Sequence, residues 1–159
     1  MLDQEQTRRE FCACACRVLS LTAAGMAAGT IVQGCGGGSP TSPSNVSALP
    51  VVNGSEANGS VVLAIDSASP LSAVGSAALL QSSAGPILVA HTAQDSFNAL
   101  TAICTHAACT ITGFASDTFV CPCHGSQFNT NGQVLNGPAP APLSRFVTAF
   151  SNNVLTITL

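Results

Sequence analysis

Short apolar runs, separated by Ser, Gly, Asn and Pro, make up most of the chain after residue 50. The clearest runs occupy 61–65, 87–90, 97–103, 146–150 and 154–159. Apolar and β-branched runs of about 4–8 residues between turn residues are typical of strands. No stretch of this region has the period of an amphipathic helix. The pattern therefore predicts an all-β domain over 51–159.

The second half of this domain is predicted to consist of hairpins. Strand-forming residues at 110–114 and 118–120 flank an Asp-containing turn, and those at 127–128 and 133–135 flank Asn131-Gly132. Asn-Gly between two apolar runs is a strong hairpin signal. A proline-rich segment, 137–143, follows, and the last two runs turn at Asn152-Asn153.

The first 35 residues have a different character. Arg8-Arg9 stands before an apolar, small-residue run over 18–32. This order predicts a twin-arginine export signal or membrane-anchor segment over 1–35. The run is shorter than the ~20 apolar residues that span a bilayer, so a permanent span is marginal. Cys12, Cys14 and Cys16 lie inside this segment and are interpreted as incidental to it.

The apolar run ends in a sequence that resembles a bacterial lipobox, with Cys35 as the residue that would receive lipid. Gln33 departs from the small residue that is usual at its position. We predict lipidation at Cys35, with an uncleaved anchor and simple cleavage as alternatives. Residues 36–50 are rich in Gly, Ser and Pro and predict a flexible linker. Such a linker either lets the domain swing between partners or holds it off the membrane.

Charged side chains are scarce, at 7% of the residues, and three of the four arginines precede residue 18. From Cys35 onward, the chain has one basic side chain, Arg145, and four carboxylate side chains, which gives a net charge of 1 − 4 = −3. The absence of a basic patch excludes nucleic-acid binding as a function class. The domain also shows no independent catalytic residues.

The candidate chemistry lies in two stretches, Cys104-Thr105-His106-Ala107-Ala108-Cys109 and Cys121-Pro122-Cys123-His124-Gly125-Ser126. They hold four of the eight cysteines and two of the three histidines, which predicts a metal centre. A tetrahedral zinc would leave two of the six ligands unused, and an all-thiolate iron–sulfur cluster would leave both histidines idle. A 2Fe–2S cluster with two thiolates and two imidazoles is the third alternative. The remaining histidine, His91, is predicted to lie on the surface at a strand end.

The two stretches, C-T-H-x-x-C and C-P-C-H-G-S in this order, resemble those of the disulfide-containing Rieske iron–sulfur family. The resemblance covers about 86–159. It implies a Rieske-type fold of small antiparallel sheets with two cluster-binding loops and one 2Fe–2S cluster per chain. It implies the ligands Cys104, His106, Cys121 and His124, and a disulfide between Cys109 and Cys123.

The resemblance also bears on the reduction potential. Ser126 occupies the family position whose hydroxyl bonds a bridging sulfide, which implies a cofactor-binding role. Phe128 stands where high-potential members have a tyrosine, and Ala107 where quinol-oxidising members commonly have a leucine. We expect a potential within about −150 to +300 mV, below that of members with both hydroxyls.

The function implied is one-electron transfer as a subunit of a membrane quinol-oxidising complex of the cytochrome bc type. The donor would be quinol or another redox subunit, the acceptor a cytochrome, and the domain would lie on the periplasmic, extracytoplasmic face. The alternative is a lipid-anchored Rieske carrier or the small subunit of an exported oxidoreductase resembling arsenite oxidase. An exported compartment is also one in which disulfides persist.

Overall fold

The computed structural model describes residues 46–159. This part of the chain contains thirteen strands and no helix, which confirms the predicted all-β class. The predicted signal segment, the lipidation site Cys35 and most of the linker lie outside the described residues. Among residues 46–159, no helix is long and apolar enough to cross a membrane.

The strands are, in chain order, β1 Ser47–Ala48, β2 Val51–Asn53, β3 Ser55–Ala57, β4 Ser60–Ala64, β5 Ala77–Gln81, β6 Ile87–Ala93, β7 Ser96–Thr101, β8 Gly113–Ala115, β9 Thr118–Val120, β10 Gln127–Asn129, β11 Val134–Asn136, β12 Arg145–Ser151 and β13 Val154–Thr158. They form a small sheet in the order β1-β8-β9-β10-β11 and a large sheet in the order β2-β5-β6-β7-β12-β13-β4-β3. Every pair is antiparallel except β2 and β5, which run parallel.

The hairpin turns follow from residues that tolerate left-handed backbone. Ser116 and Asp117, between β8 and β9, have φ of 48° and 60°, and Asn152 and Asn153, between β12 and β13, have φ of 50° and 60°. Two successive residues with positive φ give the turn that matches the twist of a two-residue hairpin. The turns predicted at Asp117 and at Asn152-Asn153 are therefore confirmed.

Two apolar cores lie in the described part of the chain. One is built on the large sheet and includes Leu80, Val89 and Leu155, all fully buried. The other joins the small sheet to the large one and includes Ile111 and Phe119 together with the thiols described below. The cysteines Cys104 and Cys121 thus belong to a packed core rather than to a surface loop alone.

The fold begins before the predicted boundary at residue 51. Ser47–Ala48 pairs with β8 at the edge of the small sheet, and Leu49 is buried and donates its backbone N–H to Thr112 O at 2.8 Å. The last residues of the predicted linker over 36–50 therefore pack against the domain. They carry no periodic pattern because the strand is only two residues long.

A disulfide joins Cys109 to Cys123 across 14 residues of chain. The bond connects the segment that precedes β8 with the segment that follows β9, so it closes a loop that contains the whole β8–β9 hairpin. The disulfide that the sequence resemblance implied is present in the structure.

Our first prediction concerns the core under the small sheet. Ile111 is fully buried, whereas Ile103 is 37% exposed. We expect Ile111→Ala to lower the free energy of unfolding by about 2–5 kcal/mol, because it removes buried methylenes and leaves a cavity. The matched Ile103→Ala should cost less than about 1 kcal/mol. Urea denaturation followed by circular dichroism, with all variants in the same cofactor state, measures both; equal losses would contradict this assignment of the core.

The second prediction concerns the disulfide. Replacing Cys109 and Cys123 together by Ser should lower the free energy of unfolding by about 3 kcal/mol, since the unfolded chain regains the entropy of a loop of about 15 residues. A thiol reductant should shift the denaturation midpoint of the parent chain in the same direction and leave the double variant unchanged. A parent chain insensitive to full reduction would rule out a stabilising role for the bond.

Candidate metal centre

Two loops carry the predicted ligands, and the β8–β9 hairpin brings them together. The first spans 102–112, between β7 and β8, and the second spans 121–126, between β9 and β10. Because β8 and β9 are antiparallel neighbours, the end of the first loop and the start of the second lie at the same end of the hairpin.

Each loop is closed by two backbone hydrogen bonds, and the two pairs are equivalent. In the first, Cys104 N–H donates to Cys109 O at 2.9 Å and Ala108 N–H to Cys104 O at 3.0 Å. In the second, Cys121 N–H donates to Ser126 O at 2.9 Å and Gly125 N–H to Cys121 O at 3.0 Å. The fourth residue after each cysteine has left-handed backbone, with φ of 55° at Ala108 and 70° at Gly125. Each loop is therefore a compact turn with a cysteine at its start.

Cys104 and Cys121 are free, buried thiols that belong to the core under the small sheet. Burial raises the pKa of the Cys121 thiol, and the neighbouring Cys104 thiol raises it further. The backbone N–H groups of Cys123 and His124 oppose this rise in pKa because they stabilise the thiolate. The same N–H groups are suited to hydrogen-bond a metal-bound sulfur, which lowers its electron density.

His106 and His124 lie on the solvent side of the thiols. Both rings are exposed, yet their Nδ1 atoms are 3.2 Å apart and their ring centroids 4.6 Å apart. Two exposed imidazoles whose Nδ1 atoms lie this close together can bind the same metal-containing group. The four predicted ligands therefore come together, with sulfur inside and nitrogen outside.

The sulfur atoms of Cys109, Cys121 and Cys123 lie within 4.8 Å of one another, a spacing compatible with a three-ligand metal site. Cys109 and Cys123 are bonded to each other, however, and offer no thiolate. The free thiols of Cys104 and Cys121 and the two imidazoles are the remaining soft ligands at this place. The disulfide thus lies beside the ligand set and is not part of it.

Ser126 has the burial that the prediction of a cofactor contact requires. The residue is fully buried, and its hydroxyl has no hydrogen-bond partner among the described residues. A buried hydroxyl without a partner costs about 1–3 kcal/mol, so such groups normally face an acceptor. A sulfide held between the two loops would supply that acceptor, and the donor set therefore fits a 2Fe–2S cluster with mixed ligands.

The proline-rich segment over 137–143 packs against both loops. Gly137 has φ of 93°, and a Cβ at this position would lie 2.6 Å from Ser126 Cα. Only glycine allows this approach and this backbone conformation together. Thr105 Oγ1 donates to Ala141 O at 2.7 Å, and Ala139 is buried in the core that contains the thiols. The segment therefore covers the site between the two loops.

Thr105 and Gly137 are site residues that our sequence analysis did not select. A threonine between two ligands and a glycine before a proline-rich run are the signals that could have identified them. The prediction for His91 was wrong, because this residue is buried, with 8% of its surface exposed. The segment that precedes β5 covers it, and its Nδ1 lies 2.9 Å from Leu71 O. It is remote from the two loops, because it lies near the opposite end of the β6–β7 hairpin.

Comparison with protein families identifies the domain. The model of the Rieske [2Fe-2S] domain matches residues 63–149, which is more than half of the chain. The cytochrome b6-f complex iron-sulfur subunit of Cyanothece sp. (strain PCC 7425 / ATCC 29141) is 42% identical over 60 residues, 37% of this chain and 34% of that protein. The subunit of the same name from Prochlorococcus marinus (strain AS9601) is 52% identical over 46 residues, 28% of this chain and 26% of that protein. The matches thus span about a third or less of these relatives.

Two solved structures align with parts of the chain. The plasma membrane Rieske protein PetC3 of Synechocystis PCC 6803 is 30% identical and aligns over 52% of this chain and 86% of its own, with a TM-score of 0.47. Naphthalene 1,2-dioxygenase is 18% identical and aligns over 62% of this chain and 25% of its own, with a TM-score of 0.53, which shows a shared fold alone. The chain belongs to the Rieske [2Fe-2S] domain family, and the predicted cofactor, one Rieske-type 2Fe–2S cluster, is confirmed with it.

Proposed function

We propose that the chain transfers single electrons, and that Cys104 and Cys121 bind one iron of its cluster while His106 and His124 bind the other. The observation that carries the proposal is the convergence of two buried thiols and two exposed imidazoles at facing loop ends. When bound, the cluster accepts and releases one electron at a time.

The residues around the site form a buried inner side and an exposed outer side. The core around Cys104 and Cys121 excludes water from the thiolate side. The exposed rings of His106 and His124 form the outer side, where a partner can approach the metal most closely. The Ser126 hydroxyl and the backbone N–H groups near Cys121 favour the more negative, reduced state.

We propose further that the chain acts as the iron–sulfur subunit of a membrane quinol-oxidising complex of the cytochrome bc type. Support comes from relatives named as cytochrome b6-f complex iron-sulfur subunits and from the export pattern over 1–35. Quinol or another redox subunit is the donor and a cytochrome the acceptor. The domain stands on the extracytoplasmic face, attached through the N-terminal segment or through lipid on Cys35.

Two residues favour the alternative of a lipid-anchored carrier or the small subunit of an exported oxidoreductase resembling arsenite oxidase. Ala107 is exposed beside His106, so it shields this ring less than a leucine would. Phe128 brings no hydroxyl into the core around the thiols. Solubilised membranes distinguish the candidates: co-purification with a cytochrome b supports the first, and isolation alone or with an exported catalytic subunit supports the alternative.

The third prediction tests the hydroxyls near the site. Phe128→Tyr should raise the reduction potential by tens of millivolts, because a hydroxyl that bonds a ligand sulfur stabilises the reduced cluster. Ser126→Ala should lower the potential by a similar amount. A preference of about 1.4 kcal/mol corresponds to about 59 mV in a one-electron couple. Redox titration of the paramagnetic signal of the reduced state measures both shifts.

Phe114→Tyr is the matched control for this pair. Phe114 is half-buried on β8 and packs against Phe119 with ring centroids 5.0 Å apart. Its added hydroxyl can reach water, so the potential should stay unchanged. An unchanged potential in a folded, cluster-loaded Phe128→Tyr variant would overturn the account of Phe128.

The fourth prediction concerns the pH dependence of the reduction potential. If His106 and His124 bind iron through Nδ1, oxidation favours loss of the proton on the outer nitrogen of each exposed ring. The potential should then fall at alkaline pH, by about 59 mV per pH unit where one proton accompanies each electron. A potential that is constant from neutral to strongly alkaline pH would contradict this coupling of proton and electron transfer. Absence of any reduced-state signal in iron-loaded protein would overturn the proposed electron transfer.

A further inference from the structure

Four asparagines in the described part of the chain are each followed by glycine, at 53–54, 58–59, 131–132 and 136–137. In such a pair the backbone nitrogen of glycine can attack the side-chain amide carbon of asparagine, because glycine has no Cβ to block the approach. The two atoms meet only when the backbone at the asparagine leaves its strand or turn conformation. The structure around each pair therefore determines whether the pair can react in the folded protein.

Two of the pairs are held by strand pairing and close packing. Asn53 lies on β2 in the ladder with β5, and a Cβ at Gly54 would clash with the Val61 side chain. Asn136 lies on β11 in the ladder with β10, and Gly137 is the glycine that packs closely against the second loop. A change of backbone conformation at either asparagine would disrupt a sheet and a packed contact.

The pair at 131–132 is held by hydrogen bonds. Asn131 Oδ1 accepts a bond from Asn98 Nδ2 at 3.0 Å, and the Asn131 N–H donates to Asn129 Oδ1 at 3.0 Å. Gly132 is buried, and its N–H donates to Asn129 O at 2.9 Å. The attacking nitrogen and the side-chain amide of this pair are thus both engaged, which protects the pair.

The pair at 58–59 is held much less. Asn58 and Gly59 form the two-residue turn between β3 and β4, which the pairing of Ala57 with Ser60 closes. Both turn residues are exposed, with φ of 50° and 71°, and apart from the chain neighbours no atom lies within 4 Å of a Cβ placed on Gly59.

Few interactions oppose the opening of this turn. Among residues 46–159, neither the Asn58 side chain nor the Gly59 N–H makes a hydrogen bond, and Gly59 O accepts one from Leu159 N–H at 2.8 Å. β3 is exposed at all three of its residues, so the turn can open without uncovering a core. Segments with few buried contacts open locally at low free energy.

We propose that Asn58 is the site at which the folded protein deamidates. The Gly59 nitrogen bonds to Asn58 Cγ, the bond from Cγ to Nδ2 breaks, and ammonia leaves with the hydrogen of the Gly59 N–H. Water then opens the resulting imide ring at either carbonyl. Opening at Cγ gives aspartate, and opening at the backbone carbonyl gives isoaspartate, in which the main chain runs through Cγ. The reaction needs water as its sole co-reactant.

The turn lies at the end of the large sheet that leads into the first metal-binding loop. Ser60 pairs with Thr158, and Thr158 lies on β13 next to the start of β12. β12 begins beside Leu100, just before that loop. Deamidation replaces a neutral amide with a carboxylate, and isoaspartate also adds one methylene to the main chain of the turn. The modification therefore adds negative charge at this end of an already acidic domain.

The test incubates the full, cluster-loaded chain at neutral pH and physiological temperature, beside the same chain unfolded in guanidinium chloride. Samples are digested with pepsin at acidic pH, and mass spectrometry measures aspartate and isoaspartate at each of the four asparagines. In the unfolded chain we expect similar rates at all four. In the folded chain, Asn58 should convert at least about tenfold faster than the other three, which corresponds to about 1.4 kcal/mol less free energy of local opening.

The proposal fails if another asparagine of the folded chain converts as fast as Asn58 or faster. It also fails if Asn58 stays intact in the folded chain over the time in which the unfolded chain is fully converted.

Gly59→Ala tests the role of the attacking nitrogen. The added methyl group hinders the approach of this nitrogen, so conversion at Asn58 should slow several-fold. Gly85→Ala is the matched control, because Gly85 also has left-handed backbone, with φ of 103°, and open space around an added Cβ. It should leave the rate at Asn58 unchanged. An unaltered rate in Gly59→Ala, or an equal slowing in both variants, would contradict attack by the Gly59 nitrogen.

Discussion

The backbone hydrogen bonds that close the two loops are the interaction on which the metal centre depends. The cysteine at each loop start donates its N–H to the end of the same loop and accepts a hydrogen bond on its C=O, so two backbone hydrogen bonds hold each loop in its turn. Fixing the backbone of a residue costs about 1–2 kcal/mol of conformational entropy. The fold meets this cost through the hairpin between the loops, the disulfide across them and the proline-rich segment over them. The four predicted ligand residues lie on this framework.

Scarcity of charge determines how this framework can adjust a reduction potential. The described part of the chain has one arginine and four Asp or Glu side chains, and all five are exposed. Ionised side chains therefore contribute little to the field at the site. Burial, N–H groups aimed at sulfur and the single hydroxyl of Ser126 remain as the means of adjustment. This explains why the addition of one hydroxyl, as in Phe128→Tyr, is expected to change the reduction potential measurably.

The sequence predicts the metal centre better than its surroundings. The centre is encoded by residues that are close together in the sequence, whereas its surroundings depend on contacts between distant residues. The cysteines, the histidines and the turns at Asp117 and Asn152-Asn153 are encoded within a few residues, and the structure brings them together as expected. β1 and the parallel pairing of β2 with β5 join segments that are distant in sequence and too short for a period. The burial of His91 depends on a covering segment some 20 residues earlier in the chain. The bond from Thr105 to Ala141 likewise spans 36 residues. Such contacts are products of tertiary packing, which local patterns do not contain.

The two loops differ at one position, and the difference makes the first loop costlier to form than the second. The residue with left-handed backbone is a glycine in the second loop and an alanine, Ala108, in the first. For a residue with a Cβ, this conformation costs roughly 1–2 kcal/mol, whereas glycine adopts it freely. This conformational cost thus falls on the first loop, and the second loop forms its turn at a lower cost. Because each loop carries one of the two free thiols and one of the two close imidazoles, neither like pair is complete until the costlier first loop has also formed its turn.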